Sequence, residues 1–154
     1  MLCEADIKMS WRARPRGFVA LMSLYESNYL RFLHLAGDPA RLSGTLTSSV
    51  QGDCELRLAV LEHMPYTSVL SLTYLLPASG GAGFERLPDL KLRAYHDARL
   101  LEAEQFPQQP SSRQNGNRHG DRPGERELQQ RWTRNIMLNK WLEYCAERGH
   151  RFTV

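Results

Sequence analysis

Tyr95, His96 and Asp97 are three adjacent side chains able to hold or pass a proton, and Glu102 follows five residues later. In that company His96 could serve as a general acid or base oriented by Asp97, Glu102 or Glu62, with Arg93 as an anion clamp. The three end a strand-like run from Leu87, and neighbours in an extended strand face opposite sides. Tyr95 and Asp97 then share one face, while His96 shares the other with Leu90, Leu92 and Ala94. Convergence requires a turn or bulge at His96-Asp97. A plainer account competes, in which His96 is a satisfied near-core histidine and Asp97 a turn residue bonding its own backbone.

Two further groups carry polar chemistry. Glu62, His63 and Tyr66 flank Pro65 between two apolar runs, and a polar cluster at a strand end can line a site. A solvated hairpin with Pro65 setting the turn explains the same residues. Asn28 and Asn135 each lie on an apolar helical stripe, where an unpartnered amide costs about 1 to 3 kcal/mol. They either bond strand-end backbone, fixing each helix in register, or face a pocket shared by helices and sheet.

Other chemistries lack their residues. His34, His63, His96, His119 and His150 are scattered, with no i, i+4 pair and no nearby pair of cysteines, so no metal is expected. No GxSxG elbow marks a nucleophilic serine. Gly80-Gly81-Ala82-Gly83 is followed by no Lys-Ser or Lys-Thr, which removes the phosphate cradle and with it any expected cofactor. The arginines from Arg113 to Arg134 are interrupted by Asp121, Glu125 and Glu127, and no aromatic interleaves them before Trp132. Nucleic acid is therefore the weakest partner class.

The elements that would position these groups read clearly. Phe18, Leu21, Met22, Tyr25, Tyr29, Phe32, Leu33 and Ala36 recur at helical spacing, and Gly37 with Asp38-Pro39 stops the helix. Thr45 to Val50 is β-prone, with Gln51-Gly52-Asp53 as a turn. Leu56, Leu58 and Val60 alternate with Glu55, Arg57 and Ala59, and His63-Met64-Pro65 breaks that strand. Thr67 to Leu76 puts Leu70, Leu72, Tyr74 and Leu76 on one face, opposite Thr67, Val69, Ser71 and Thr73. Pro77 to Gly83 is a loop, Leu90, Leu92 and Ala94 face the core, and Arg99 to Phe106 reads as a last strand. A second helix runs from Glu125 to about Arg148 on a stripe of Leu128, Trp132, Asn135, Leu138, Leu142 and Cys145, flanked by Met137, Trp141 and Tyr144. Gly149 caps it. Short connections predict antiparallel pairing. The expected fold is α+β: about five antiparallel strands with an N-terminal and a C-terminal helix on one face.

The 154 residues suit one domain, 42% hydrophobic and 24% charged, with a net charge of +3. Residues 1–16 read as a disordered basic extension, which supplies two of those charges through Lys8, Arg12, Arg14 and Arg16 against Glu4 and Asp6. The apolar Phe18 to Met22 behind it is too short for a secretory signal. Residues 17–154 form the expected domain, interrupted at 107–124 by a polar tract too poor in apolar side chains to order itself. No apolar run approaches the roughly 18 to 20 residues that span a bilayer, so no membrane insertion is expected. Cys3, Cys54 and Cys145 form no disulfide or metal pattern and suit a reducing cytoplasm.

Four patches resemble the YqiB-like family, small cytoplasmic bacterial proteins of unknown function. They are Leu24-Tyr25-Glu26-Ser27-Asn28-Tyr29-Leu30; Glu62 with Tyr66-Thr67; Leu87-Pro88 leading to Arg93, Tyr95-His96-Asp97-Ala98 and Glu102; and Asn135 with Leu138, Trp141-Leu142 and Tyr144-Cys145. The likeness covers residues 21–149 and implies a cytosolic single domain without supplying an activity. The chain departs from the family pattern at the start of the last helix, where Gln129-Gln130-Arg131 replaces an acidic pair and a lysine.

Three functions follow as expectations. The first is a binding or regulatory accessory domain, meeting a protein partner or small ligand through the sheet face opposite the helices and a cleft by Tyr66, Arg93, Tyr95 and Asp97. The second is an enzyme built on His96, and the third a weak nucleic-acid binder.

Overall fold

The computed structural model describes residues 17–77, 83–104 and 124–153. The expected basic extension and residues 107–123 of the polar tract lie outside them. The elements are α1 (Phe18–Ala36), a 3-10 turn (Pro39–Arg41), β1 (Thr45–Ser48), β2 (Glu55–His63), β3 (Thr67–Pro77), β4 (Phe84–Tyr95), β5 (Leu100–Ala103) and α2 (Glu125–Glu147). The fold is α+β, as the alternation and helical stripes imply.

Helix α1 stops where the sequence says it should. Gly37 adopts φ +81° and donates its N–H to Leu33 O, a conformation that costs glycine nothing. Behind it Asp38 accepts from the Ala40 N–H at 2.9 Å, opening the 3-10 turn. Helix α2 ends the same way at Gly149, φ +92°, and the chain then folds back so that Phe152 N–H bonds Leu35 O at the end of α1.

The five strands form one antiparallel sheet in chain order. Each strand pairs with its sequence neighbour, so every connection is a hairpin or short loop. One face carries Leu56, Leu58, Leu70, Leu72, Tyr74, Leu90, Leu92, Ala94, Leu101 and Ala103. These pack against Tyr29, Phe32 and Leu35 of α1 and Leu138, Trp141, Leu142 and Cys145 of α2. Fully burying a leucine contributes roughly 1.5 to 3 kcal/mol, and this layer holds many. A smaller cluster of Leu21, Leu24 and Tyr25, with Leu100, Leu128 and Trp132 packed on it, joins the first halves of both helices beyond β5. Met137 and Tyr144, expected beside the α2 stripe, are exposed, whereas Trp141 is buried.

Two bulges aim the second face. Val60 pairs with Leu70 but Glu62 pairs with Val69, which leaves Leu61 as an extra residue. Asp89 pairs with Thr73 and Arg86 with Leu75, so Leu87 and Pro88 oppose Tyr74 alone. A bulge is a place where proline's missing N–H does no harm. The last strand is shorter than the sequence implies. Arg99 does not open it but closes the His96–Arg99 turn at φ +56°, and its guanidinium sits 5.7 Å from the centre of the Tyr29 ring. No helix among the described residues is long and apolar enough to cross a membrane.

Candidate functional site

Register decides which expected residues meet. Opposite residues on paired strands share a face. Glu62 lies across from Val69, Val69 across from Arg93, and Arg93 across from Glu102. Glu62, Arg93 and Glu102 therefore occupy one transverse row on the face away from the helices. Tyr95, in the next row across from Thr67 and Leu100, donates its hydroxyl to Glu102 Oε1 at 2.6 Å.

Arg93, Tyr95 and the carboxylates beyond them are held in place by one another, while Glu62 is exposed at the end of the row. Arg93 Nε donates to Glu104, and Lys91 Nζ lies 3.4 Å from the other oxygen of that carboxylate. Burial opposes the Glu104 charge, but Arg93 and then Lys91 hold its carboxyl below the usual range. Tyr95 is pushed up to about 12, by burial and then by its bond to Glu102. Behind β5, the buried Tyr25 hydroxyl has Glu102 and Arg131 as polar neighbours but no well-formed hydrogen bond. Burial, then the Glu102 charge, push it up to about 12. Sequence reasoning missed Tyr25, Glu104 and Lys91, although β5 alternation places Glu104 on the face of Glu102.

His96 belongs elsewhere. Its backbone N–H bonds Tyr66 O, and its ring lies 5.8 Å from that of His63. Nδ1 is 3.3 Å from Pro65 O, which can only accept, so Nδ1 carries a proton, and Nε2 lies 2.8 Å from the Ser68 hydroxyl oxygen. Neither Asp97, Glu102 nor Glu62 bonds the imidazole. Asp97 is exposed in the turn, the Tyr66 side chain is 68% exposed at the β2–β3 hairpin, and His63 Nε2 bonds Ala40 O at 2.9 Å. Ser68 is fully buried, so its contact with His96 offers no nucleophile to solvent.

Asn28 and Asn135 tie helices to strand. Asn135 Oδ1 accepts the Ala103 N–H at 2.8 Å, and Asn28 Nδ2 donates to Leu101 O and to Asn135 Oδ1, both at 3.3 Å. Asn139 Nδ2 completes the ladder to Asn28 Oδ1 and Ser27 Oγ, each at 3.0 Å. These amides bind both helices to the β5 strand.

A second polar network escaped sequence reasoning. The His150 side chain is fully buried, with Nε2 2.9 Å from Asp53 Oδ2 and Nδ1 3.0 Å from Ser48 Oγ. Asp53 also accepts from Cys54 N at 2.8 Å and from the Tyr74 hydroxyl at 3.2 Å. Burial works against its charge, but Cys54 N–H, His150 and Tyr74 hold the carboxyl below its usual range. Tyr74 also contacts Cys145 Sγ at 3.4 Å, and burial pushes that thiol up to about 11. The Ser–His–Asp order resembles a nucleophilic relay. However, Ser48 is only 7% exposed and its oxygen already accepts the Arg151 N–H at 3.1 Å. The network fastens the segment after α2 to the β1–β2 turn. Among the described residues, no group of three or more His, Cys, Asp or Glu side chains is placed to hold a metal ion.

Fold and geometry together define a small α+β domain with one face of its sheet packed under helices and the other lined by ordered polar side chains. The family model described as protein of unknown function (DUF1249) matches residues 31–151, and the chain belongs to that family. The chain matches no curated protein and no solved structure.

Proposed function

We propose that the chain is a binding domain, a YqiB-like accessory or regulatory protein of the bacterial cytoplasm, that takes a small ligand or protein partner on the second face of its sheet. The observation that carries this reading is the row Glu62, Arg93, Glu102 with Tyr95 and Glu104 beside it. Arg93 and Tyr95 of β4 are bonded there to Glu104 and Glu102 of the β5 segment, with Glu62 exposed at the end of the row, on a face with no helix among the described residues. The acid/base alternative is weaker, because both nitrogens of His96 are engaged by Ser68 and Pro65 and no carboxylate orients it. Acids interleave the cations along the row, which suits a mixed-charge ligand better than a polyphosphate chain. Three of the four YqiB-like patches fall within the matched residues 31–151, which supports the finer family reading.

A thermal-shift screen against amino acids, nucleotides, phosphorylated metabolites and divalent metals tests the proposal, since a ligand of the folded state raises Tm by mass action. The expected result is a stabilising compound whose effect is lost in Arg93→Ala and kept in His96→Ala. The opposite pattern would move the site to His96 and revive the enzyme.

A further inference from the structure

Beside the bulge that releases Leu61, the second face of the sheet dips into a cavity of about 200 Å³ lined by Thr45, Arg57, Ala59, Leu61, Ser71 and Thr73. The register explains the dip. Thr45, Ala59 and Ser71 lie side by side across β1, β2 and β3, a row of small side chains, and Arg57 faces Thr73 in the adjacent row. The centre of this face is sheltered: Val69 and Thr73 are 2% and 4% exposed.

The two ends of the cavity differ in sign. At one, Arg57 Nε is buried without a hydrogen-bond partner, and the nearest carboxylate, Glu55, is 3.9 Å from Nη2, too far to bond. The side chain is 39% exposed, so the terminal nitrogens of the guanidinium, rather than the enclosed Nε, are open to a carboxylate. At the other end, Thr73 Oγ1 and Ser71 Oγ donate to the same oxygen of Asp89, at 2.7 and 3.3 Å. Having given up their hydrogens, both hydroxyls can only accept, and the Asp89 carboxylate stands behind them. Lys91 lies across from Ser71, but its ammonium is turned to Glu104, so Asp89 sets the sign at that end. A simple anion is welcome at the Arg57 end and repelled at the other, and a simple cation meets the reverse.

We infer that this cavity binds a small zwitterion of the α-amino-acid class, its carboxylate on Arg57 and its ammonium on Ser71 and Thr73. Arg57 and Thr73 face each other across neighbouring strands whose backbones run about 4.8 Å apart, so both side chains can meet one small guest. At about 200 Å³ the cavity falls below the roughly 300 Å³ where sites for larger ligands begin, so the side chain of the guest is small. The cavity lies on the same sheet face as the Arg93 row but shares no lining residue with it, so the inference goes beyond that reading.

Isothermal titration of the full chain with glycine, L-alanine and L-serine tests it, with acetate and methylammonium as single-charge controls. The expected result is binding of at least one amino acid, weakened about 10-fold or more by Arg57→Gln and by Asp89→Asn, with each control weaker by a similar factor. Acetate binding as tightly as L-alanine to the wild-type chain overturns the inference, and this control needs no variant to fold. Absence of any amino-acid binding at millimolar concentration also overturns it. If another ligand then still depends on Arg93, the sheet-face reading survives; if none does, both fall.

Discussion

Asp53 and Glu102 are each bonded by a tyrosine hydroxyl, yet they sit in opposite kinds of place. Asp53 lies in a network with Ser48, Tyr74 and His150 in which the imidazole is fully buried and each of its nitrogens is bonded. Glu102 belongs to a group with Arg93 and Tyr95 on a sheet face, where the Arg93 side chain is 31% exposed. Burial makes the first a fastening, since removing any member strands its partners away from water. Partial exposure makes the second adaptable, since a half-solvated ion pair contributes little and can exchange its partner for a ligand at small cost. Identical functional groups thus serve cohesion in one region and recognition in the other.

His150→Ala breaks the comparison most severely. It leaves Ser48 and Asp53 without their shared partner and opens a void, so chemical denaturation is expected to show a loss of about 3 to 4 kcal/mol. A loss below about 1 kcal/mol would mean that the network fastens nothing. Asp53→Asn comes next, at about 2 kcal/mol near neutral pH. The folded Asp53 carboxyl lies below its usual value of 3.8, so its stabilisation is fully present above about pH 4 and is lost as the pH falls through the lowered value. Acid titration of stability should therefore show the gap between wild type and Asp53→Asn closing below pH 4; a gap that stays constant would place the effect outside the charge. Arg93→Ala sharpens the other side. It should cost under about 1 kcal/mol by denaturation while removing ligand binding. A larger loss would make the row structural.

Much of the fold was legible from local pattern. The α1 stripe and its Gly37 stop, the alternation of Leu90, Leu92 and Ala94, and the stripe of α2 each follow from a period that packing on one sheet face imposes. Asn28 and Asn135 were legible as amides in need of partners because their stripe positions forced burial. The two bulges were not, since one extra residue leaves no mark in a short alternating run. Arg57 read as a solvent-facing residue of an alternating strand, and nothing local shows that its Nε is left unpartnered. The contacts of His150 with Ser48 and Asp53 span 102 and 97 residues. Only the finished topology brings them together. His96 shows the reverse: adjacency to Asp97 suggested a pair, whereas the imidazole meets Ser68 and Pro65, in keeping with the plainer account of a satisfied histidine.

The element order has a consequence in time. Because α2 follows the whole sheet in the chain, a ribosome completes the meander before the second helix that joins its core has been made. At roughly 5 to 20 residues per second, the interval between β5 and the last turn of α2 is several seconds. Through it Tyr74 awaits Trp141 and Cys145, and Asn28 awaits Asn135. The nascent chain is therefore most exposed to aggregation and to chaperones just after its sheet is complete.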